Sequence, residues 1–250
     1  MAEFCDRILV ADHMSTDHTP ELLRELSREL DHVEVRRIAH SAKSHALIED
    51  LAGTDTWILA VDGDELYDPE RLRSFRHELE DGRYHDVFRI RPAGFHCAEL
   101  DEARARATGY LSPPGRPLLG LLNFAAIDSW TSVRSQRLHG GQVVFRPGFD
   151  WDSWRHLGME HGWDESPFRD LHVCFVSRSS IEDADVSTGR PNLSETHRFR
   201  RGPSEHLERA ARRVLRRDRG GGSETSEWKR EKYRRGERVT VDVSAFLGAR

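Results

Sequence analysis

Three acidic side chains that follow a short apolar run are the residues of this chain best suited to chemistry. Asp62, Asp64 and Glu65 come directly after Trp57–Val61, and a short apolar run of this kind predicts a buried strand. Acids at the carboxyl end of such a strand lie where open α/β sheets bind their ligands. Two aspartates separated by one glycine can direct two carboxylates at one Mg²⁺ or Mn²⁺, which prefer oxygen ligands and keep places for substrate phosphates. The same residues also suit an acidic turn, because Asp and Gly are ordinary turn residues.

Length and composition predict one soluble domain, or one domain with an appendage. The chain has 250 residues, of which 32% are charged, and a net charge of -5. No run approaches 18 consecutive apolar residues, so we expect no membrane span. We see no signal-peptide pattern. The three cysteines lie far apart, which favours reduced thiols in a cytoplasmic protein over a disulfide framework or a zinc site.

The charge is unevenly distributed along the chain. Between Arg200 and Arg238, 14 Lys and Arg residues face 7 Asp and Glu residues, a net of +7 that leaves -12 on the rest. Pro203–Arg219 fits an amphipathic basic helix, and Gly220–Gly222 fits a flexible break. A basic helix can simply be a solvated face, or it can bind an anionic membrane or nucleic acid. A fourth interpretation makes Lys229–Arg238 a lid over a bound diphosphate.

Strands that alternate with short helices predict an α/β fold with a mostly parallel sheet. Helices are predicted from Thr19–Pro20 to Leu30, over Ala42–Leu51, and from Pro69 onward. Residues 98–120 look irregular, with a loop at Tyr110–Gly115. The predicted strands are Arg7–Ala11, Val33–Val35, Trp57–Val61, Val87–Arg91, Val143–Phe145, His172–Val176 and Val239–Val243.

An ordered set of short segments resembles the pattern of family 2 glycosyltransferases, which have the GT-A fold, a Rossmann-like sheet flanked by helices. Asp12–Thr19 corresponds to a family pattern like Asp-Asn-Gly-Ser-Thr-Asp-Gly-Thr. Ala42–Ser44 corresponds to an Ala-Arg-Asn-like element, and Asp62–Glu65 to an Asp-x-Asp motif that is often followed by Glu. The resemblance covers residues 7–95 well and residues 130–180 loosely.

The chain departs from that pattern in three places. The family glycines of the first motif are replaced at Met14 and His18, so we expect that loop to take another conformation, and Lys43 stands for the family Arg. The family also begins with one more strand, which lies in the middle of the sheet. Three explanations are open: a coding start further upstream, a truncated chain, or another strand in that place, for which Val239–Val243 is the candidate.

The resemblance implies a site for a nucleotide-sugar and a divalent cation. Asp64 would coordinate the metal, and Asp62 would contact the ribose or the metal. Asp12 matches a position that contacts the base of uridine-type donors, or else it caps its own turn. Asp17, in the same motif, would also help to bind the donor. Lys43 could reach the diphosphate, or be a solvated helix charge.

GT-A enzymes often recruit a late histidine to the metal, and His172 at the start of its predicted strand is our candidate. His139 and His161 are weaker candidates for the same role. The chain has 14 histidines, and a single histidine can equally be structural.

An inverting transfer needs a base near the acceptor hydroxyl, and a carboxylate in the later half of the chain would serve. We favour Asp164, with Glu165 and Glu160 behind it. The neighbouring Trp163 would suit a sugar face, and the alternative is an acidic surface loop. Trp151 and Trp154 are interpreted as side chains that anchor the core or a loop.

The sequence therefore predicts a metal-dependent, inverting glycosyltransferase of the hexosyltransferase type. Residues 1–198 would form the transferase domain, with donor half 1–95 and acceptor half 96–198, and residues 199–250 a basic extension. The cofactor would be Mn²⁺ or Mg²⁺, the donor UDP-type, and the acceptor a glycan, protein or small molecule. One alternative is an inactive GT-A-like module whose basic tail binds a polyanion such as nucleic acid. Another is a hydrolase or nucleotidyltransferase acting on nucleotide-sugars.

Overall fold

The computed structural model describes residues 3–15, 17–39, 41–113, 118–131, 142–173, 175 and 233–248. The chain divides into two compact units, one of residues 1–176 with 235–250 and one of residues 177–234. All the elements described below belong to the first unit. His139, the predicted helix at Pro203–Arg219 and residues 199–232 of the predicted basic extension lie outside the described residues.

The first third of the chain alternates strands with helices, as predicted. Pro20 lies in the first turn of the first helix, where its missing N–H costs nothing. The predicted helix at 42–51 is instead two 3₁₀ helices, Ser41–Leu47 and Glu49–Leu51. The other elements are β1 (Ile8–Asp12), α1 (Thr19–Glu29), β2 (Val33–Arg37), β3 (Trp57–Ala60), β4 (Glu65–Tyr67) and α2 (Pro69–Glu80).

The rest of the described chain is rich in strands. These elements are β5 (Arg89–Arg91), β6 (Ala93–Asp101), β7 (Arg106–Ser112), β8 (Gly120–Asn123), β9 (Ile127–Thr131), β10 (Gln142–Phe145), β11 (Trp154–His156), α3 (Leu157–Glu165), β12 (Arg169–His172), β13 (Arg238–Asp242) and α4 (Ser244–Leu247). Short 3₁₀ turns at Glu102–Arg104 and Phe124–Ala126 connect neighbouring strands.

The strands form a four-stranded sheet, a five-stranded sheet and two pairs. The four-stranded sheet has the order β11-β5-β8-β3, and the five-stranded sheet β13-β7-β6-β12-β4. The pairs are β1-β2 and β9-β10. Parallel pairing occurs at β1-β2, β5-β11 and β6-β12, and the other described pairs are antiparallel. The predicted α/β class is confirmed, with sheets that are mixed rather than mostly parallel.

Strand directions place several carboxyl ends at one edge of the four-stranded sheet. β3 and β5 are both antiparallel to β8, and β11 is parallel to β5. β3, β5 and β11 therefore run in the same direction and end at the same edge. The residues that follow β3, including Asp62 and Asp64, share that edge with the last residues of β5 and β11.

The prediction of irregular structure at residues 98–120 is wrong. The strands β6, β7 and β8 occupy much of this range. Five consecutive residues, Ala93–Cys97, are buried, so β6 has little of the apolar–polar alternation that identifies a strand with one solvated face. An Ala105 with φ of 50° completes the tight connection from β6 to β7.

The hypothesis that Val239–Val243 replaces the family's first strand is also wrong. β13 pairs with β7, at the edge of the five-stranded sheet, rather than with β1 or β3. Val243 and Phe246 are buried in a cluster with Phe95 and Trp163, so apolar packing fixes this segment on the five-stranded sheet.

Stacked aromatic rings fix α2 against the five-stranded sheet. Phe168, just before β12, stacks on Phe75 of α2 and on Tyr67 of β4, with ring centroids 5.3 and 5.4 Å apart. All three belong to one buried cluster. This packing holds β4, and the acidic turn that precedes it, in a fixed position beside β12. None of the helices in the described ranges is long and apolar enough to cross a membrane.

Candidate functional site

The acidic turn between β3 and β4 is closed by its own residues. The backbone N–H of Asp62 donates to Oε2 of Glu65, and the backbone N–H of Glu65 donates to the carbonyl of Asp62, both at 3.0 Å. A Cβ at Gly63 would meet no atom within 4 Å. The turn interpretation is therefore correct for Glu65, and this turn fixes where Asp62 and Asp64 stand.

Asp64 and His172 come together as the family resemblance implies, but the predicted strand His172–Val176 is wrong, because His172 ends β12 rather than opening a strand. Both are only 6% exposed, and Oδ2 of Asp64 lies 3.6 Å from Nε2 of His172. The backbone N–H of Val173 donates to the carbonyl of Asp64 at 2.8 Å, and His172 lies opposite Glu65 in the β12-β4 register. The end of β12 is thus bonded directly to the acidic turn.

His96 contacts the other nitrogen of His172. The two Nδ1 atoms are 3.1 Å apart, and the rings meet edge to face at 5.3 Å. One Nδ1 must donate and the other accept, so this contact orients the ring of His172 and couples its tautomer to that of His96. A second contact of this kind is typical of metal-binding histidines. Sequence reasoning missed His96, because only the parallel register of β6 with β12 brings it opposite His172.

Asp170 is a buried acid that sequence reasoning also missed. Its exposure is 0%, and in the described part of the chain neither carboxylate oxygen has a hydrogen-bond partner. Burial, followed by the negative charges of Glu65, Asp64 and Asp62, raises the pKa of Asp170 well above its usual value. A signal was visible in the sequence, since residues two apart on a strand share a face and Asp170 is two residues before His172.

The raised pKa of Asp170 predicts that Asp170→Asn changes the pH dependence of stability. A folded-state pKa above the unfolded value of about 3.9 means that the native state binds more protons. The wild-type chain therefore loses stability as pH rises from about 4 through the folded pKa of Asp170, and the amide does not titrate. Urea unfolding of the metal-free protein should show the variant gaining on the wild type as pH rises.

The exposed acid Asp50 supplies the matched control for this comparison. Asp50→Asn makes the same chemical change without altering a buried charge, so it should not reproduce the gain that Asp170→Asn shows at higher pH. A difference between Asp170→Asn and the wild type that is independent of pH would contradict the raised pKa.

The donor atoms at this place fit a divalent cation in part. Ligands about 2.1 Å from one cation on adjacent octahedral corners lie about 3 Å apart, and the Asp64–His172 pair at 3.6 Å is close to that spacing. Asp62 lies near enough to Asp170 to act on its pKa. Within the described residues, no group of three or more His, Cys, Asp or Glu side chains is already arranged as a metal site. A cation here would need substrate oxygens as further ligands.

The predicted donor residues on the first loop have mainly structural contacts. Asp12 is 4% exposed, and it accepts hydrogen bonds from the N–H of Ser15 and from Nε of Arg37, both at 3.0 Å. Burial favours the neutral form of Asp12, but these hydrogen bonds and the charge of Arg37 outweigh it and lower its pKa. Asp17 is exposed and accepts from the N–H of Thr19 at the start of α1. The turn-capping interpretation of Asp12 is thus satisfied, and its role in base recognition stays a prediction.

Met14 and Lys43, two further residues in the segments that resemble the family pattern, are both exposed. Met14, at a family glycine position, has a φ of 55°, the left-handed region that glycine adopts readily. Met14 thus has a backbone conformation that glycine favours, and the expected difference from the family loop stays a prediction. Lys43 is exposed on the first 3₁₀ helix.

The candidate bases lie on α3. Asp164 and Glu165 are exposed in its last turn, and the backbone carbonyl of Asp164 accepts from Arg71. Glu160 forms an ion pair with Arg155. Asp164 and Glu165 are thus accessible carboxylates, whereas Glu160 is engaged.

The aromatic and histidine candidates have different environments in the structure. Trp163 is 6% exposed and stacks on Phe246 at 5.6 Å, so our expectation that it offers a sugar face is wrong. Trp151 packs edge to face against Phe88, as expected of an anchor. His161 lies 4.0 Å from Glu160, on α3. Of the described candidate ligands, it is His172 that the fold brings to Asp64.

Comparison with known proteins identifies the family. The family model described as glycosyl transferase family 2 matches residues 5–135, which include the acidic turn and β5–β9. No curated protein matches the chain at a significant level. The match covers more than half of the chain, from the strand before Asp12 to beyond Asp64. The chain therefore belongs to glycosyl transferase family 2, whose members have the GT-A fold and transfer a sugar from a nucleotide-sugar donor to an acceptor.

Proposed function

We propose that this chain is a metal-dependent, inverting glycosyltransferase that moves a hexose from a UDP-type donor to an acceptor hydroxyl. The observation that carries the proposal is the buried pair formed by Asp64, which follows β3, and His172, which ends β12. Asp170 is buried close by. Family membership supports sugar transfer in general. The charge distribution of the site supports the metal.

Electrostatics is the main argument for a cation. The negative charges of Asp62, Asp64 and Glu65 act on the buried Asp170, and Asp64 is buried as well. A nucleoside diphosphate carries further negative charge, and like charges in a poorly solvated site repel strongly. A divalent cation held by Asp64 and His172 would offset this charge and stabilise the charge that grows on the leaving diphosphate.

The residues of the chain have separate tasks in this proposal. Asp64 and His172 would hold Mn²⁺ or Mg²⁺, with His96 orienting the imidazole of His172 through the 3.1 Å contact. Asp62 would bind the donor ribose or share the metal. Asp12, Asp17 and Lys43 would contribute to the nucleotide side, as the family resemblance implies.

The acceptor hydroxyl needs a base as its oxygen attacks the anomeric carbon. We assign this role to Asp164, with Glu165 as the neighbouring alternative. Both side chains are exposed at the end of α3, so an acceptor can reach them. The hydroxyl proton would pass to the carboxylate while the bond from the sugar to the diphosphate breaks.

A panel of nucleotide-sugars tests this function. We expect release of a nucleoside diphosphate from at least one donor in the presence of Mn²⁺, and strong suppression by EDTA. Release of a nucleoside monophosphate, or of a sugar phosphate, would instead indicate a hydrolase or nucleotidyltransferase. No release from UDP-, GDP-, TDP- or CDP-sugars by folded protein would contradict the proposal.

The second candidate function is a binding module that uses the basic segment. The net charge of +7 between Arg200 and Arg238 favours it, because clustered basic residues attract polyanions. A salt-sensitive association with nucleic acid, together with no nucleotide-sugar turnover, would favour this function over the first.

A further inference from the structure

Arg89 and Arg91 differ from the other described arginines. They are only partly exposed, and neither has a carboxylate within ion-pair distance among the residues that the structure describes. The other described arginines that are partly buried are all paired with acids: Arg71 and Arg169 with Asp68, Arg76 with Asp6, Arg146 with Asp128, and Arg155 with Glu160. Burial lowers the pKa of Arg89 to about 10, with the charge of Arg91 adding to the effect.

His156 completes a cluster with these two arginines. β5 and β11 are parallel, with Arg91 opposite His156 and Arg89 opposite Trp154, so all four side chains lie on one face of the sheet. His156 is 4% exposed, and both of its ring nitrogens are buried without a hydrogen-bond partner among the residues that the structure describes. Within the same residues, Nε of Arg89 is buried without a partner as well. Buried polar atoms normally have hydrogen-bond partners, so among the described residues this cluster lacks an acceptor.

The nearby acid does not supply that acceptor. Glu160 lies near enough to His156 to act on its pKa, but its carboxylate is bonded to Arg155. Arg155 stands opposite Ile90 in the register of β11 with β5, so it belongs to the other face of the sheet.

The Trp154 ring packs against the guanidinium of Arg91 and leaves its N–H donors available to an anion. The guanidinium carbon lies 4.7 Å from the centre of the Trp154 ring, so one face of the guanidinium is covered by the indole. Stacking leaves the edge of the guanidinium, which carries the N–H donors, as the part that can bind another group. That edge matches the geometry of a phosphate or a carboxylate.

The cluster lies at the same edge of the sheet as the acidic turn. Arg91 and His156 are the last residues of β5 and β11, and Asp62 and Asp64 follow β3, which runs in the same direction. In the order β11-β5-β8-β3, strand spacing places β5 roughly 10 Å and β11 roughly 14 Å from β3. An anion at Arg91 is therefore about one sugar ring or more from a diphosphate held beside Asp64.

We propose that Arg91, backed by Arg89 and His156, forms a subsite for an anionic group, a phosphate or a carboxylate, on the acceptor substrate. The inference rests on the proposed transfer reaction and narrows its acceptor to an anionic sugar or similar anionic molecule. The spacing from Asp64 separates this subsite from the donor diphosphate.

Binding measurements in EDTA test the subsite without the metal site. The probes are inorganic phosphate, glucose 6-phosphate, glucuronate and neutral glucose, each titrated calorimetrically against the full chain. Glucose 6-phosphate should bind more tightly than inorganic phosphate, glucuronate should also bind, and glucose should not. Arg91→Gln should weaken binding of the anionic probes about tenfold or more, whereas Arg28→Gln, at an exposed arginine of α1, should not.

Arginine modification gives a second measurement that needs no variant. Glucose 6-phosphate should protect Arg91 of the wild-type chain from phenylglyoxal, as read by mass spectrometry, and should leave Arg28 unprotected. Equal binding by the two variants, or no protection of Arg91, would overturn the proposal. Equal affinity for inorganic phosphate and glucose 6-phosphate would also overturn it, since that result indicates a simple anion site.

The outcome is independent of the donor site. If Arg91 binds anionic sugars but the wild-type chain never binds UDP with Mn²⁺, the proposed metal-dependent transfer fails and the anion subsite stands. If UDP and Mn²⁺ bind normally to both wild type and Arg91→Gln while no anionic sugar binds, the subsite fails and the donor site stands.

Discussion

Asp64→Ala should lose the Mn²⁺-dependent stabilisation that a nucleoside diphosphate gives the wild-type chain. Asp64 is 6% exposed and supplies the oxygen that faces Nε2 of His172 at 3.6 Å, so alanine removes one of the two donors already in place. At a ligand concentration 100 times the dissociation constant, binding to the native state stabilises by about 2.7 kcal/mol. Thermal unfolding with UDP and Mn²⁺, compared with UDP and EDTA, measures the loss.

The exposed acid Asp55 provides the matched control for this variant. Asp55 lies just before β3, whereas the acidic turn follows β3. Asp55→Ala therefore removes a carboxylate at the other end of the strand and should keep the full Mn²⁺-dependent shift. If Asp64→Ala binds UDP and Mn²⁺ as the wild type does, the metal is held elsewhere.

Asp68→Ala should destabilise the fold by about 3–5 kcal/mol, the usual loss when one partner of a buried ion pair is removed. Asp68 is 2% exposed and accepts from both Nε and Nη2 of Arg169, at 2.9 and 2.6 Å. Its other oxygen accepts from the backbone N–H groups of Glu70 and Arg71 at the start of α2. Alanine would leave Arg169 without its acid and α2 without its N-cap, a loss that urea unfolding would record.

Asp68→Asn separates the two roles of this side chain. Asparagine keeps one acceptor oxygen, which can serve the helix cap or Arg169 but not both, so its loss of stability should lie between zero and that of Asp68→Ala. Asp50→Ala, at an exposed acid, should change stability by no more than about 0.5 kcal/mol. A similarly small effect of Asp68→Ala would show that the ion pair and cap contribute little.

Local patterns were sufficient to predict several of the elements, and the family resemblance implied one pair in the site. The apolar runs before Asp12 and Asp62 are strands, and the pairing of Asp64 with His172 is present in the structure. The strands depend on short-range signals, apolar runs that end in acids, whereas the pair follows from the order of the family motifs. Such signals survive because the local preference and the tertiary fold agree.

The residues that sequence reasoning missed depend on long-range strand pairing. His96 reaches His172 only because β6 and β12 are parallel neighbours in register, 76 positions apart in the chain. Because Ala93–Cys97 is buried throughout, the alternation that would reveal β6 is absent. Nothing in the local sequence states that Arg91 and His156 are neighbours either.

The misassignment of Trp163 has a different physical cause. Gly162 has a φ of 73° and interrupts α3, so the helical periodicity does not continue through this segment. Trp163 packs in the core, whereas Asp164 and Glu165 lie exposed. The sequence places the tryptophan beside its acids, but the backbone at Gly162 separates their environments.

The most direct test of the central claim is an anomalous difference map from crystals of the full chain grown with Mn²⁺ and UDP. We expect one manganese peak within bonding distance of the Asp64 carboxylate and of Nε2 of His172, with the UDP phosphates completing its ligands. A manganese peak at other residues, or UDP bound beside Asp64 with no manganese peak, would contradict it.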